Sequence, residues 1–306
     1  MSRGHQGPGG GVISQRQLLA LIGLTLMWGL SWPMMKYSLR ELSPMYFRAF
    51  TMSGGALFLY AWYRASGVRV MPQKQEWKSV LLIGTPNMLG WHALSILGVK
   101  ELASGRAAIL GYTMPILTVL ISVLFLGEKL TRRVAFAALA AAAAIALLIS
   151  DEISALSGRP LGIFWMEIGA LSWAIGTLMT RRSQLTLPVE TLTVWMMIFA
   201  STCLWLIALA SEPWPRWQFS LPMWGSLVYG IFINYGFAQT IWTSLARNLP
   251  PATSAMSIMA IPLIGTLSAT LIVGEWPVWQ DFAAMVFVMM AIAAVLLPPR
   301  SRKMPA

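Results

Sequence analysis

The sequence predicts an all-α integral membrane protein in which ten transmembrane helices form two inverted five-helix repeats. Of the 306 residues, 57% are hydrophobic and only 11% are charged, which lies outside the usual range for a soluble globular chain. The apolar residues fall into ten runs, each near the length of helix that crosses a hydrocarbon core of about 30 Å. The two halves also carry matching motifs, of which Pro115 and Pro262 stand 147 residues apart.

Charged residues and prolines bound the apolar runs, and only helices suit runs of this length because backbone polar groups in lipid must be satisfied within their own segment. The first repeat, 17–150, has predicted spans at 17–37, 44–64, 78–98, 104–126 and 132–150. The second repeat, 151–298, has predicted spans at 161–180, 189–210, 221–245, 252–273 and 280–298. We expect residues 1–16 to be a disordered cytoplasmic tail and 299–306 to be a second cytoplasmic tail.

Five spans is an odd number, so the second repeat must enter the bilayer from the face opposite to the first, an arrangement typical of secondary transporters. If the N-terminus is cytoplasmic, fifteen Lys and Arg residues fall on that side and six on the far side, which predicts that both termini are cytoplasmic. This asymmetry and the attraction of basic loops to anionic lipid explain the net charge of +11. We therefore expect membrane lipid and no nucleic acid as a partner.

Several classes of site are disfavoured by composition. The single cysteine, Cys203, allows no intrachain disulfide, and with only two histidines a His/Cys metal cluster is excluded, so we expect no metal and no cofactor. No GxxxxGK[ST] loop occurs, which argues against an ATP-driven pump. A membrane-embedded enzyme would need a nucleophile with a base, or paired carboxylates, yet only Glu167 among the acidic residues lies well inside a predicted span. We expect a protein that is not an enzyme.

Local motifs in both halves converge on one family. The first half contains Trp28-Gly29-Leu30-Ser31 before Lys36, Arg48 early in the second span, Pro115, and Gly127-Glu128-Lys129-Leu130. The second half contains Trp173 to Thr177 followed by Arg181-Arg182, then Pro262 and Gly274-Glu275. Together and in this order the motifs resemble the drug/metabolite transporter superfamily, in its EamA-type ten-span branch.

The resemblance implies a carrier in the bacterial inner membrane, with a central cavity between the halves that opens to each side in turn. Its similarity is greatest to exporters of aromatic and neutral amino acids, which makes a small-molecule substrate the expected partner and leaves the oligomeric state open. A multidrug exporter, or an exporter of another metabolite, is the alternative. The second half departs from the first, because Leu192 and Trp276 stand where the first half has Arg48 and Lys129.

Polar and aromatic residues within the spans are the candidates for the cavity wall. Helical spacing places Asn87, Trp91 and Ser95 on one face of the third span, with His92 beside them. The same spacing predicts a second face in the eighth span, formed by Tyr235, Gln239 and Trp242 with Asn234 adjacent. Tyr112, Trp28 and Trp173 complete the predicted set. Such groups also hydrogen-bond neighbouring helices, but together they would suit a zwitterion with an apolar side chain.

Four further residues are candidates for gates and hinges. Arg48 is either a structural arginine that snorkels to the surface or is held in a pair, or it pairs with Glu167 as an outer gate or a contact for the substrate carboxylate. Pro115 and Pro262 each remove a backbone hydrogen bond in mid-span, as expected where a carrier bends. Because the titratable groups within spans reduce to His92 and Glu167, we expect exchange-type transport with weak proton dependence at most.

The repeated Gly-Glu pairs end the fourth and ninth spans. We expect both of them, Gly127-Glu128 and Gly274-Glu275, to lie where these spans meet the cytoplasm, with a local structural role for each glutamate.

Overall fold

The computed structural model describes residues 14–154, 159–183, 186–242 and 251–296, and within these ranges the chain forms ten helices and no strand. The first half contains α1 (Gln15–Ser38), α2 (Pro44–Ala65), α3 (Lys74–Glu101), α4 (Ser104–Phe125) and α5 (Arg132–Ser154). The second half contains α6 (Pro160–Arg182), α7 (Val189–Ser211), α8 (Leu221–Val228, continued by Tyr229–Ala238 to residue 242), α9 (Pro251–Ile272) and α10 (Trp279–Leu296). Each described helix end lies within a few residues of its predicted boundary. Most of the two predicted tails lies outside the described residues.

The length and composition of the helices identify a multi-pass membrane protein. In the described ranges α1 and α3 to α7 are each long and apolar enough to cross a bilayer, and α9 and α10 contain shorter apolar stretches, Ala260–Ile272 and Trp279–Val295. The 22 residues of α2 give a helix of about 33 Å, which is also sufficient to span, although it carries the buried Arg48. The predicted all-α membrane fold is confirmed.

Helix ends follow from local sequence. Ser14 and Gln17 form a capping box at the start of α1, in which the Ser14 hydroxyl accepts from the Gln17 amide and the Gln17 side chain accepts from the Ser14 amide. Gly127 and Gly274 follow α4 and α9 with φ of 74° and 75°, a left-handed conformation that glycine adopts without strain. The repeated Gly-Glu motif is therefore a helix-terminating device that both halves share.

The packing of the helices has the two-fold pattern of an inverted repeat. α2 packs against α7, and α5 packs against α10, so that each of these pairs joins equivalent helices of the two halves. α1 packs against α9 as α6 packs against α4, which is the exchange that a two-fold axis produces. The core thus lies between the halves. We call the end of the bundle where α1 begins the N-terminal face and the end where α1 stops the opposite face.

The structure corrects the expected position of Glu275. The Glu275 carboxylate accepts 2.6 Å hydrogen bonds from the backbone amide and the hydroxyl of Ser104, the first residue of α4. Glu128 follows the last residue of α4, so the two glutamates lie at opposite ends of the bundle. The expectation that both meet the cytoplasm was wrong because a repeat with an odd number of spans inverts every equivalent position.

Two equivalent helices contain π-helical segments, Thr85–Gly90 in α3 and Tyr229–Ala238 in α8. Asn87 and Asn234, which stand 147 residues apart, lie one in each segment. Pro86 has no amide hydrogen to donate, and its carbonyl accepts from the Ser172 hydroxyl of α6 at 2.9 Å. π-Helical turns commonly mark functional sites. In this fold they place the middle of α3 and α8 at the interface of the halves.

Candidate functional site

The side chain at the centre of the candidate site is Arg48. It lies four residues after Pro44, about 6 Å along α2, and is 3% exposed. Its guanidinium donates to the Tyr235 hydroxyl at 3.1 Å and to the Ser95 hydroxyl at 3.3 Å, while its Nε is buried without a hydrogen-bond partner. No carboxylate of the described residues lies within 4.0 Å of it. A buried guanidinium with a free N–H and no counter-ion is suited to bind an anion, and a carboxylate matches its planar geometry.

A chain of hydrogen bonds extends from Arg48 across three helices. The Tyr235 hydroxyl of α8 lies 3.1 Å from Nδ1 of His92 in α3, and the two rings are 5.4 Å apart. The Tyr235 oxygen accepts from Arg48, and its own proton can be donated to Nδ1 of His92, an arrangement in which the imidazole is neutral and no second cation adjoins the buried guanidinium. The site therefore carries one positive charge, on Arg48.

Aromatic rings form the adjoining wall. Trp91 of α3 lies 5.3 Å from Trp173 of α6 and 6.5 Å from Trp32 of α1, with the rings edge to face in both pairs. Tyr112, at the break in α4, lies 6.5 Å from Trp32. These four rings, from four helices, present apolar faces and ring edges. Trp91 also contacts His92, which connects the aromatic wall to the hydrogen-bond chain of Arg48.

A recess lies beside Arg48 between α1, α2 and α8. Its wall combines hydroxyl, thioether and aromatic groups: Ser31, Met34, Met35, Phe47, Arg48, Thr51, Ser226, Tyr229, Gly230, Asn234 and Tyr235. A Cβ on Gly230 would lie 2.7 Å from the Thr51 methyl, so only glycine lets α8 approach α2 this closely.

The structure brings some of the predicted site residues together and separates others. The recess is lined by Arg48, Asn234 and Tyr235, the aromatic wall contains Trp91, Tyr112 and Trp173, and the hydrogen-bond contacts of Arg48 and Tyr235 include Ser95 and His92. Trp28 and Trp242 instead pair with each other at 5.5 Å, beside the small cluster around Leu24. Gln239 is half-buried just after the π-helical segment of α8, and the backbone of Asn87 packs against α6 at Gly176.

Sequence reasoning missed Trp32 and most of the recess. Ser31 belongs to the Trp-Gly-Leu-Ser motif quoted above, and Trp32 follows it directly, so that motif contained a signal for both. Ser226 and Tyr229 are polar groups three residues apart within the eighth span, a spacing that places them on one helical face. The methionines and Phe47 carry no sequence signal that separates a recess wall from ordinary core.

The predicted ion pair between Arg48 and Glu167 does not form. α6 packs against α3 and α4, so Glu167 meets Thr113 of α4, with its two carboxyl oxygens 3.1 and 3.4 Å from the Thr113 hydroxyl. Arg48 lies on α2 and donates to Tyr235 and Ser95 as described. Charge complementarity suggested the pair, but the order of the helices in the bundle prevents it.

The two prolines differ in their effect on the backbone. Pro115 is the second residue of Met114–Phe125, and the helix is interrupted before it at Tyr112 and Thr113. Pro262 lies inside α9, which continues through it without interruption. The proline of the first half therefore follows a break in its helix, whereas its counterpart lies within an intact helix.

Comparison with known proteins agrees with this architecture. The EamA-like transporter family matches residues 15–150 and 160–297, one match for each half. The uncharacterized transporter YoaV of Bacillus subtilis is 22% identical over 81% of this chain and 85% of its own length. The uncharacterized inner membrane transporter YedA of Escherichia coli K12 is 25% identical over 92% of each chain.

A solved crystal structure has the same fold, with a TM-score of 0.67 and 20% identity over 92% of this chain and 96% of the other. The described helices, their two-fold packing and the match in each half lead to one conclusion. The chain is a membrane transporter that belongs to the EamA-like transporter family.

Proposed function

We propose that this protein is a secondary carrier that exports small amphipathic metabolites, namely aromatic or neutral amino acids, across the bacterial inner membrane. The observation that carries the proposal is Arg48, which is buried beside the recess and, among the described residues, has no acidic partner and no hydrogen-bond partner for its Nε. In this scheme the carboxylate of the substrate binds the Arg48 guanidinium, and the side chain of the substrate packs on the rings of Trp91, Trp32 and Trp173.

Alternating access is the transport mechanism that the two-fold packing supports, because two inverted halves can exchange conformations around a site at their interface. The N-terminal face is cytoplasmic in this proposal, following the distribution of Lys and Arg between the loops. The name of YedA places that relative in an inner membrane, which agrees with the proposed location. An exporter of other small carboxylates or of drugs is the second candidate, since the recess has one positive charge and no carboxylate for an ammonium group.

The test is counterflow of labelled Phe, Trp and Thr in proteoliposomes. Arg48→Gln removes the charge but keeps a hydrogen-bonding side chain, and we expect the affinity for Phe to fall by about 30-fold or more, since truncating one partner of a buried charge pair costs at least ~2 kcal/mol. Trp91→Ala tests the aromatic wall, and His92→Ala tests the hydrogen-bond chain that begins at Arg48. Arg64→Gln, an exposed arginine at the other end of α2, is the matched control and should behave as wild type. Wild-type counterflow no faster than in empty vesicles would refute the amino-acid assignment.

A further inference from the structure

Glu167 is an acidic group inside the membrane-spanning part of α6. It lies seven residues after Pro160, about 10 Å along the helix, whereas a bilayer core is about 30 Å thick. Among the described residues its hydrogen-bond partner is the hydroxyl of Thr113, a residue that is 1% exposed and lies at the break in α4. Ionisable residues at such depth are costly in a membrane and commonly mark a transport pathway.

No cation among the described residues compensates the Glu167 carboxyl group. Within the described residues no Lys, Arg or His nitrogen lies within 4.0 Å of it. The helices packed against α6 are α3, α4 and α5, and their titratable and charged groups are Lys74, Glu76, Lys78, His92, Lys100, Glu101, Arg106, Tyr112, Arg132, Arg133, Asp151 and Glu152. Of these, Arg106 is held by the carboxylates of α5 and α10, and His92 contacts Tyr235. An ionised Glu167 would therefore be an uncompensated charge.

The hydrogen-bond geometry at Thr113 points to a proton on Glu167. The Thr113 hydroxyl oxygen lies 2.8 Å from the Leu110 carbonyl oxygen and 3.1 Å from the nearer carboxyl oxygen of Glu167. A hydroxyl has one proton to donate, and a carbonyl oxygen can only accept. When that proton goes to Leu110, the closer acceptor, the contact with Glu167 is a hydrogen bond only if the carboxyl group supplies the proton. A neutral carboxylic acid satisfies both contacts.

The equivalent positions of the other half show whether the fold itself requires a carboxyl group at the position of Glu167. The offset of 145 residues that relates Trp28 to Trp173 places Ile22 at the position of Glu167, and the offset of 147 places Ala260 at the position of Thr113. The equivalent contact in the other half is therefore apolar, so the fold of the repeat does not require a carboxyl group there. The Glu167–Thr113 pair is therefore specific to one half. It lies at the break before Pro115 in α4, whereas α9, the equivalent helix, continues through its proline.

We propose that Glu167 is a proton-binding site, protonated in this conformation and deprotonated when α4 rearranges at its break, so that transport carries a proton. Release breaks the carboxyl O–H bond and passes the proton to water that reaches the site. Tyr112 adjoins Thr113 and contacts Trp32 of the aromatic wall, which gives the break a direct connection to the substrate site. This proposal differs from the weak proton dependence expected from sequence. Its transport step rests on the proposed function, whereas the protonation itself does not.

The first test measures the proton without a substrate. Infrared difference spectra of the protein in lipid at neutral pH, wild type minus Glu167→Gln, should contain the C=O band of a protonated carboxylic acid. Glu101→Gln, which alters a carboxylate at the opposite face that pairs with Arg159, is the matched control and should give only a carboxylate difference. Thr113→Val, which nearly preserves side-chain shape, should shift the carboxylic acid band, so a failure of Glu167→Gln to fold leaves the test intact. Absence of the band from wild type would overturn the proposal.

The second test measures coupling in proteoliposomes with labelled Phe and the membrane potential clamped at zero. Exchange for one proton should accumulate Phe about tenfold for each unit of imposed pH gradient, since one pH unit corresponds to ~1.4 kcal/mol. Glu167→Gln should retain counterflow but lose this accumulation. Wild-type counterflow without any response to the gradient, or an equal response in Glu167→Gln, would overturn the coupling. Absence of counterflow in wild type would instead refute the amino-acid proposal, and the infrared result would still decide whether Glu167 is protonated.

Discussion

Replacement of Arg106 by glutamine should destabilise the opposite face of the bundle. Arg106, in the first turn of α4, donates to Asp151 and Glu152 of α5 and, at 2.7 Å, to Asp281 of α10. The Gln280 amide also donates to Asp151 at 2.8 Å, so the cluster joins α4 and α5 of the first half to α10 of the second. Without the guanidinium, three carboxylates would remain close together with their main cation removed.

The expected loss of unfolding free energy in Arg106→Gln follows from the burial of the cluster. The Arg106 side chain is 11% exposed and its three partners are 7 to 20% exposed. Removing one partner from a fully buried ion pair costs about 3–5 kcal/mol, and the residual exposure reduces our value to ~2.5 kcal/mol. Unfolding entropy of ~2.1 cal/mol/K per residue gives ~0.6 kcal/mol/K for a chain of this length, so the midpoint of thermal unfolding should fall by about 4 °C.

The assay is thermal unfolding in detergent, followed by circular dichroism, and the matched control is Arg159→Gln. Arg159 pairs with Glu101 on the same face, but its side chain is 60% exposed, so the pair contributes about 0–1 kcal/mol. We expect a shift below about 2 °C for the control. Adding Asp281→Asn to Arg106→Gln should recover part of the loss because it removes one repelling charge. Equal shifts for Arg106→Gln and Arg159→Gln would refute the reasoning.

Two further predictions concern α8 and the loop that precedes it. Gly55→Ala should lower the unfolding midpoint and slow counterflow, because its Cβ would lie 2.3 Å from the Tyr235 Cβ; Gly225→Ala, with no atom within 4 Å of the added Cβ, should do neither. Hydrogen bonds from the hydroxyl and amide of Ser220 lower the pKa of Glu41 below its ordinary value of 4.5. The stability difference between wild type and Glu41→Gln should therefore be complete at neutral pH and disappear as the pH falls through that lowered pKa, and a pH-independent difference in unfolding midpoint would contradict the assignment.

The sequence predicted the spans well because the bilayer imposes a strict length on apolar helices and because prolines and glycines mark their ends. Pro44 begins α2, and Gly127 and Gly274 end α4 and α9 in the left-handed conformation that a helix terminus requires. These are local effects that act within a few residues. Local effects of this kind can be predicted from a single sequence without knowing which helices are neighbours in the bundle.

The arrangement of the site was less predictable because two of its helices depart from α-helical spacing. Asn87 and Tyr235 lie in π-helical segments, where a period of 3.6 no longer assigns residues to faces. Trp91 and Ser95 lie in the regular part of α3, and they do reach the aromatic wall and Arg48 as their spacing predicted. The false pairing of Arg48 with Glu167 has another cause, since depth in the membrane is readable from sequence but the neighbours of a helix are not.

The two halves share their scaffold but not their charges, and this difference locates the chemistry. Both halves keep the mid-span proline, and both keep the Gly-Glu motif that ends a helix. Arg48 corresponds to Leu192 and Glu167 to Ile22, so the two charged candidates within the spans belong to different halves. A symmetric pair of sites would bind a substrate equally in both orientations. One arginine on α2 and one acid on α6 would instead place the proposed anion site and the proposed proton site on helices of different halves.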